Sequence, residues 1–178
     1  MTDTIKMLAL DPGSRFTGWA QIVVREGYPH EVRGSGVMHA HQRAGDSLEG
    51  LVQQVRDRVD TYDVIAIEEP GPHPFKNRAA ATTLYQTIGA FRAVCVMRAV
   101  RHIMVPDPVV KLALAGREVA GKSEVHWALA RLGYQVVQVG RQKCSPCRTA
   151  GMDDRHSPDA ADAVALGHVA ADRLLLGI

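Results

Sequence analysis

Long hydrophobic runs are missing from this chain of 178 residues. No stretch approaches the roughly 18 apolar residues of a membrane helix, so no membrane span is expected. Cysteine is scarce: there are three, an odd number, which argues against a disulfide framework and fits a reducing cytoplasm. A basic, then apolar leader is missing too. Asp3 and Lys6 run straight into a strand pattern, so no secretory signal is expected. Internal repeats and low-complexity segments are absent, which excludes repeat arrays and compositionally disordered chains.

What is present is an ordinary globular composition, 46% hydrophobic and 22% charged, in a length that suits one domain over 1–178. The net charge of +2 conceals a division along the chain. Residues 1–75 carry 7 Lys/Arg against 11 Asp/Glu, a balance of −4, and 156–178 carry 1 against 3, a balance of −2. Residues 76–155 carry 13 against 5, a balance of +8. A basic middle suggests a polyanionic partner, with a solvated basic face as the equal alternative.

Apolar patterning gives strands over 5–10, 17–24 and about 31–39, joined by the turn signals Pro12-Gly13 and Gly27-Tyr-Pro29. Connections this short make three antiparallel strands. Leu48, Leu51, Val52, Val55 and Val59 form a helical stripe within 44–60. Val64-Ile-Ala-Ile67 lacks alternation, as a central strand covered on both faces does. A helix is expected over Asn77–Arg101, a short strand over His102–Val105, and helices over 109–115 and Lys122–Leu132. Tyr134–Val139 is either a strand or an extended segment outside the sheet. Residues 140–158 have loop composition, and Ser157-Pro158 opens a last helix, Asp159–Leu176. Three strands followed by alternating helix and strand imply an α/β fold: a mixed sheet with helices on both faces. Trp19 and Trp127 are expected to be core or partly buried packing.

The chemistry centres on Leu8-Ala-Leu-Asp11-Pro-Gly13, a buried strand that ends on one acid. Such an acid is costly unless something cationic meets it. Glu68 ends the second apolar run, and Asp159 and Asp162, at i and i+3, share one face of the last helix's first turn. Singly, each has a bland reading as a turn acid or a helix N-terminal acid. Together they are what a divalent-metal site needs: carboxylates from separate elements, with positions left open for water. Two metals about 3.5–4 Å apart supply the activated water and the charge clamp that phosphodiester hydrolysis demands. Periodicity does not choose between Glu68 and Glu69.

Leu10-Asp-Pro-Gly-Ser-Arg-Phe-Thr-Gly18, Ala66-Ile-Glu68, Lys76-Asn77, Val110-Lys111, Gly121-Lys-Ser123 and Asp159-Ala-Ala-Asp-Ala163 follow one another in an order and spacing that resemble the RuvC family of Holliday junction resolvases. The resemblance spans nearly the whole chain. It implies an RNase H-like nuclease domain, a homodimer, and Mg²⁺-dependent, paired symmetrical nicking of four-way DNA junctions in the cytoplasm of a bacterial or phage-infected cell. It implies two Mg²⁺ ions per site, with Mn²⁺ substituting, held by Asp11, Glu68, Asp159 and Asp162; the match of Ala-Ile-Glu selects Glu68 and leaves Glu69 as a supporting acid. Lys111 and Lys122 match basic residues near the scissile phosphate, where they would contact phosphate and offset transition-state charge. Lys122 is thus counted with the catalytic acids, and Arg15, Lys76 and Arg78 with the DNA contacts. Phe75 falls where the family places an aromatic that stacks on an unpaired base, though the loop Pro70-Gly-Pro-His-Pro-Phe75 is richer in proline than the resemblance leads one to expect. The Asn77–Arg101 helix matches the dimerisation helix, with a core helix as the alternative.

The departure from the family pattern is 140–156, where Cys144-x-x-Cys147 lies among Arg141, Lys143, Arg148, Arg155 and His156. Cys144, Cys147 and His156 fall one short of the four ligands of a structural zinc, so a basic loop touching DNA is the favoured reading over zinc. Such a segment suits a divergent phage-type member. Asp153 and Asp154 read as loop acids near Asp159. Rival readings are an actin-like kinase, whose second lobe this length does not accommodate, a broader branched-DNA or flap nuclease, and a non-catalytic junction-binding protein.

Overall fold

The computed structural model describes residues 4–13, 16–39, 47–71, 78–134 and 158–178. Met7-Leu-Ala-Leu10 offers apolar side chains to both sides, and β1 (Ile5–Pro12) accordingly lies in the middle of a five-stranded sheet. β2 (Phe16–Val24) returns antiparallel beside it, and β3 (Glu31–His39) pairs antiparallel with β2 at one edge. On the other side β4 (Val64–Glu69) runs parallel to β1, and β5 (Arg101–Pro106) runs parallel to β4. The spatial order is β3-β2-β1-β4-β5.

Alternation along the strands divides the core in two. Leu8, Leu10, Ile65 and Ile67 face α1 (Ser47–Val59) and α2 (Arg78–Met97), meeting Leu51, Val55, Ile88 and Phe91. Met7, Ala9, Ile22, Ala66 and Val105 face α3 (Asp107–Ala115), α4 (Lys122–Arg131) and α5 (Pro158–Leu176). The expected mixed sheet with helices on both faces is the one observed. Among the described residues, no helix is long and apolar enough to cross a membrane.

α5 lies close to the sheet because its buried side is made of small residues, Ala160, Ala163, Gly167 and Ala170 among them. A Cβ on Gly167 would sit 2.6 Å from Ile22 Cγ1. At the N-terminal end of α5, Gly18 of β2 performs the same service more strictly: its Cβ would fall 2.0 Å from the Asp159 carbonyl oxygen, a backbone atom that has nowhere to go. Glycine at 18 therefore fixes how near Asp159 comes to the end of β1.

Two expectations are corrected. The helix expected over Asn77–Arg101 ends at Met97, because Arg101 pairs with Val64 and begins β5. The reversal is made by Ala99 in the left-handed region, φ 54°, which lets the Val100 N–H donate to the Cys95 carbonyl at 2.9 Å. Trp127 is not core: it is exposed, lying two residues from the buried Val125 and so on the far side of α4. Trp19 is partly buried as expected, with its indole ring over Gly34 and Gly36. Arg15, Phe75, Lys76, Asn77, the segment 135–157 with Cys144 and Cys147, and with it Asp153, Asp154 and His156, lie outside the described residues.

Candidate active site

Register alone brings the first two acids together. Leu10 pairs with Ile67 across the parallel β1–β4 ladder, so Asp11 and Glu68, each one residue further on, end adjacent strands at the same level. Both continue the side of the sheet occupied by Ala9 and Ala66, which α5 covers. Glu69 continues the side of Ile65 and Ile67, beneath the other helical layer, and is exposed. The N-terminal turn of α5 then brings in Asp159 and Asp162. Carboxylate oxygens of Asp11, Asp159 and Asp162 lie within 4.8 Å of one another. Glu68 lines the same cleft, of about 100 Å³, with Asp11, Asp162, Asp107, Lys111 and Lys122.

The electrostatics are those of a site short of positive charge. Burial raises the Asp11 carboxyl well above its usual range, and Glu68, Asp162 and Asp159 raise it further against the opposing pull of Lys122. Burial, then Asp107 and Asp162, push Glu68 up to about 8, opposed by Lys122 and Lys111. Asp162 is the exception. Burial would raise it, but a hydrogen bond from His126 and the charge of Lys122 hold it below the usual value. His126 Nε2–H donates to Asp162 Oδ1 at 2.8 Å, and the Lys122 ammonium donates to Oδ2. Burial would lower Lys122, yet Asp162, Asp11 and Asp159 hold it above the ordinary lysine range. Lys111 donates to Asp107 Oδ2 at 2.6 Å, one helical turn away. Buried, mutually repelling oxygen donors at the positive end of a helix suit a hard divalent cation, which would favour their ionised forms against burial and repulsion.

Of the residues singled out from the sequence, Asp11, Glu68, Asp159, Asp162, Lys111 and Lys122 converge here. Arg78 is exposed at the first turn of α2. Two residues of the site, His126 behind Asp162 and Asp107 on the cleft wall, were not anticipated. His126 lies four residues after Lys122, so both stand on one face of α4, and that spacing was its signal. Asp107, between Pro106 and Pro108, reads as helix punctuation and gives no such sign.

A family model described as crossover junction endodeoxyribonuclease RuvC matches residues 7–145. The chain belongs to the RuvC family. The RuvC crossover junction endodeoxyribonuclease of Nitratidesulfovibrio vulgaris is 33% identical over 150 residues, covering 78% of this chain and 80% of that protein. The RuvC of Neisseria meningitidis is 30% identical over 178 residues, covering 94% of this chain and 86% of its own length. Among solved structures, T. thermophilus RuvC in complex with Holliday junction substrate superposes with a TM-score of 0.74, over 97% of this chain and 96% of that one, at 18% identity. That likeness is one of fold, and it bears out the RNase H-like sheet expected from the sequence. The RuvC assignment likewise supports the nuclease reading over the kinase.

Proposed function

We propose that this chain is a structure-selective DNA endonuclease that resolves four-way junctions by paired, metal-dependent hydrolysis of phosphodiesters. The observation that carries the reading is the meeting of Asp11 and Glu68, at the ends of adjacent parallel strands, with Asp159 and Asp162 from the first turn of α5, in a chain of the RuvC family. These four carboxylates would hold Mg²⁺, two ions per site, with Mn²⁺ able to substitute. When bound, the metal supplies Lewis acidity and a water of lowered pKa at the phosphate.

The remaining work belongs to the protein. Asp11 and Glu68 have to be deprotonated to serve as ligands, and their strand-end positions keep them from swinging apart. His126 fixes the rotamer of Asp162 by holding one of its two oxygens. Lys122 and Lys111 place positive charge in the same cleft, where they would contact the scissile phosphate and offset the charge that builds on its oxygens. Val110, Val125 and Ala165 make the apolar side of the cleft and limit water there. Arg15, Lys76, Arg78 and Phe75 complete the proposed DNA contacts, the arginines and Lys76 on phosphates and Phe75 on an unpaired base.

The proposed assembly is a homodimer acting in the cytoplasm. A four-way junction has near two-fold symmetry, and paired nicks need two sites. α2 supports this: Ile88, Phe91 and Cys95 fill the core, while Thr82, Tyr85, Gly89, Ala93 and Val96 form an exposed stripe on the opposite side.

The test is cleavage of a labelled synthetic four-way junction beside duplex, fork and flap substrates, with Mg²⁺ or EDTA, for the wild type and Asp11→Asn. The expected result is paired nicks across the junction that EDTA abolishes. Asp11→Asn should lower the rate by at least about 100-fold while junction binding persists. Equal cleavage of forks or flaps would mark a broader branched-DNA nuclease. Binding without cleavage under any divalent metal would leave a junction-binding protein.

A further inference from the structure

We infer that the chain carries a second metal site, built from His30, His168 and Asp172, which takes a transition metal of the Zn²⁺ class rather than Mg²⁺. His30 ends the turn between β2 and β3, and His168 and Asp172 stand one helical turn apart on α5. One ligand atom from each lies within 4.8 Å of the other two. His30 Nε2 is 2.7 Å from Asp172 Oδ1, and His168 Nε2 is 3.7 Å from Asp172 Oδ2. Ligand atoms around a tetrahedral zinc with bonds of about 2.0 Å stand about 3.3 Å apart. The two spacings bracket that value, so small side-chain adjustments complete the set.

The hydrogen-bond pattern prepares His168 as a ligand. Tyr134 has one hydroxyl proton, and its Oη lies 3.3 Å from the His30 carbonyl oxygen, which only accepts. With the proton given there, the same oxygen accepts from His168 Nδ1–H at 3.0 Å. His168 Nε2 then bears the lone pair, and it faces a carboxylate oxygen that also bears lone pairs. Such an opposition is relieved by a cation between them. The Nδ1–H contact to Tyr134 is the outer-shell support that ligating histidines use to fix their tautomer. His30 Nε2–H donates to Asp172 Oδ1, a proton that the metal would replace, and its Nδ1 is buried with no partner among the described residues.

Two imidazoles and one carboxylate favour a borderline metal, whereas the all-oxygen nuclease centre favours a hard one. His168 and Asp172 also line a cavity of about 420 Å³ between α3, α4 and α5, with Arg131 on its wall, which leaves room for water as a fourth ligand. The site would fasten the β2–β3 turn to α5, the helix whose first turn carries Asp159 and Asp162. It is separate from the nuclease centre and does not depend on the reading of that centre.

The test is calorimetric titration of Zn²⁺ into metal-free protein carrying Cys144→Ser and Cys147→Ser, in excess Mg²⁺ to fill the oxygen-only centre. Co²⁺ spectra and melting curves accompany it. The expected result is one equivalent of bound Zn²⁺ and intense tetrahedral Co²⁺ bands. Melting should rise by about 5 °C or more with free Zn²⁺ at about 100-fold its Kd. Affinity should fall at least about tenfold in His168→Ala and in the half-exposed Asp172→Asn, and stay unchanged in Glu68→Gln. Absence of a stoichiometric Zn²⁺, or several weak equivalents indifferent to His168→Ala and Asp172→Asn, overturns the proposal. So does Zn²⁺ binding that Asp159→Asn removes and Asp172→Asn does not.

Discussion

Residue by residue, the acidic cleft is a set of charges that the fold compresses and one histidine orders. His126 is almost fully buried and hydrogen-bonds Asp162, its Nδ1 having no partner among the described residues. Its removal should cost about 10–100-fold in cleavage rate at limiting Mg²⁺, with partial recovery at high Mg²⁺ and junction binding intact. A Mg²⁺ titration of the His126→Ala rate checks this, and His126→Gln, which retains a donor, should lose less. Glu68 sets a pH dependence. Its proton is held more tightly in the folded state, up to a pKa of about 8 against 4.5 when free. The stability this confers is present in full below about pH 4.5 and is lost as the pH rises through about 8. In EDTA, melting temperature should therefore decline across that window. The decline should flatten in Glu68→Gln, and Mg²⁺ should raise the alkaline values of the wild type most.

At the scale of elements, β1, β4 and α5 make the site and Gly18 sets their spacing. Gly18→Ala places a methyl group against the Asp159 backbone, so α5 has to move and carry Asp159 and Asp162 with it. The expected outcome is a loss of about 1–3 kcal/mol in stability together with a fall in cleavage rate larger than stability alone explains. Urea unfolding and single-turnover cleavage on the same preparation measure the two. Gly167→Val, which presses on Ile22 farther along α5, should cost stability with a smaller effect on rate. β1, β3, β4 and α5 lie within two residues of the ends expected from sequence, because apolar runs and Gly/Pro turns mark them locally. α2 is four residues shorter than expected: Arg98–Arg101 is helix-compatible by composition, and only pairing with Val64 draws Arg101 into a strand.

For the whole molecule, the exposed stripe on α2 is the surface on which proposed assembly depends. Val96 is 68% exposed although apolar, on the side away from the core. Val96→Glu should shift the protein toward monomer in sedimentation velocity and leave folding intact. Junction cleavage should then change from paired to single, uncoordinated nicks. If Val96→Glu remains dimeric, association runs through another surface. The basic middle of the chain belongs to this scale as well: Lys111 and the exposed Lys122 both line the cleft, while Arg78 stands at the surface on the first turn of α2.

What the sequence determined by itself is the local matter. Apolar alternation fixed strand faces, small residues and caps fixed the helices, and the motif Asp159-Ala-Ala-Asp162 set two carboxylates on one face of α5. What only the tertiary structure decided is which acids meet. Glu68 and Glu69 are equivalent along the chain, and α5 covering the Ala66 side makes one a cleft residue and the other a surface residue. His126 and Asp107 joined the site for the same reason. His126 meets Asp162, 36 positions on, and Asp107 bears on Glu68, 39 positions back, and approaches at that separation exist only once sheet register and helix packing are set.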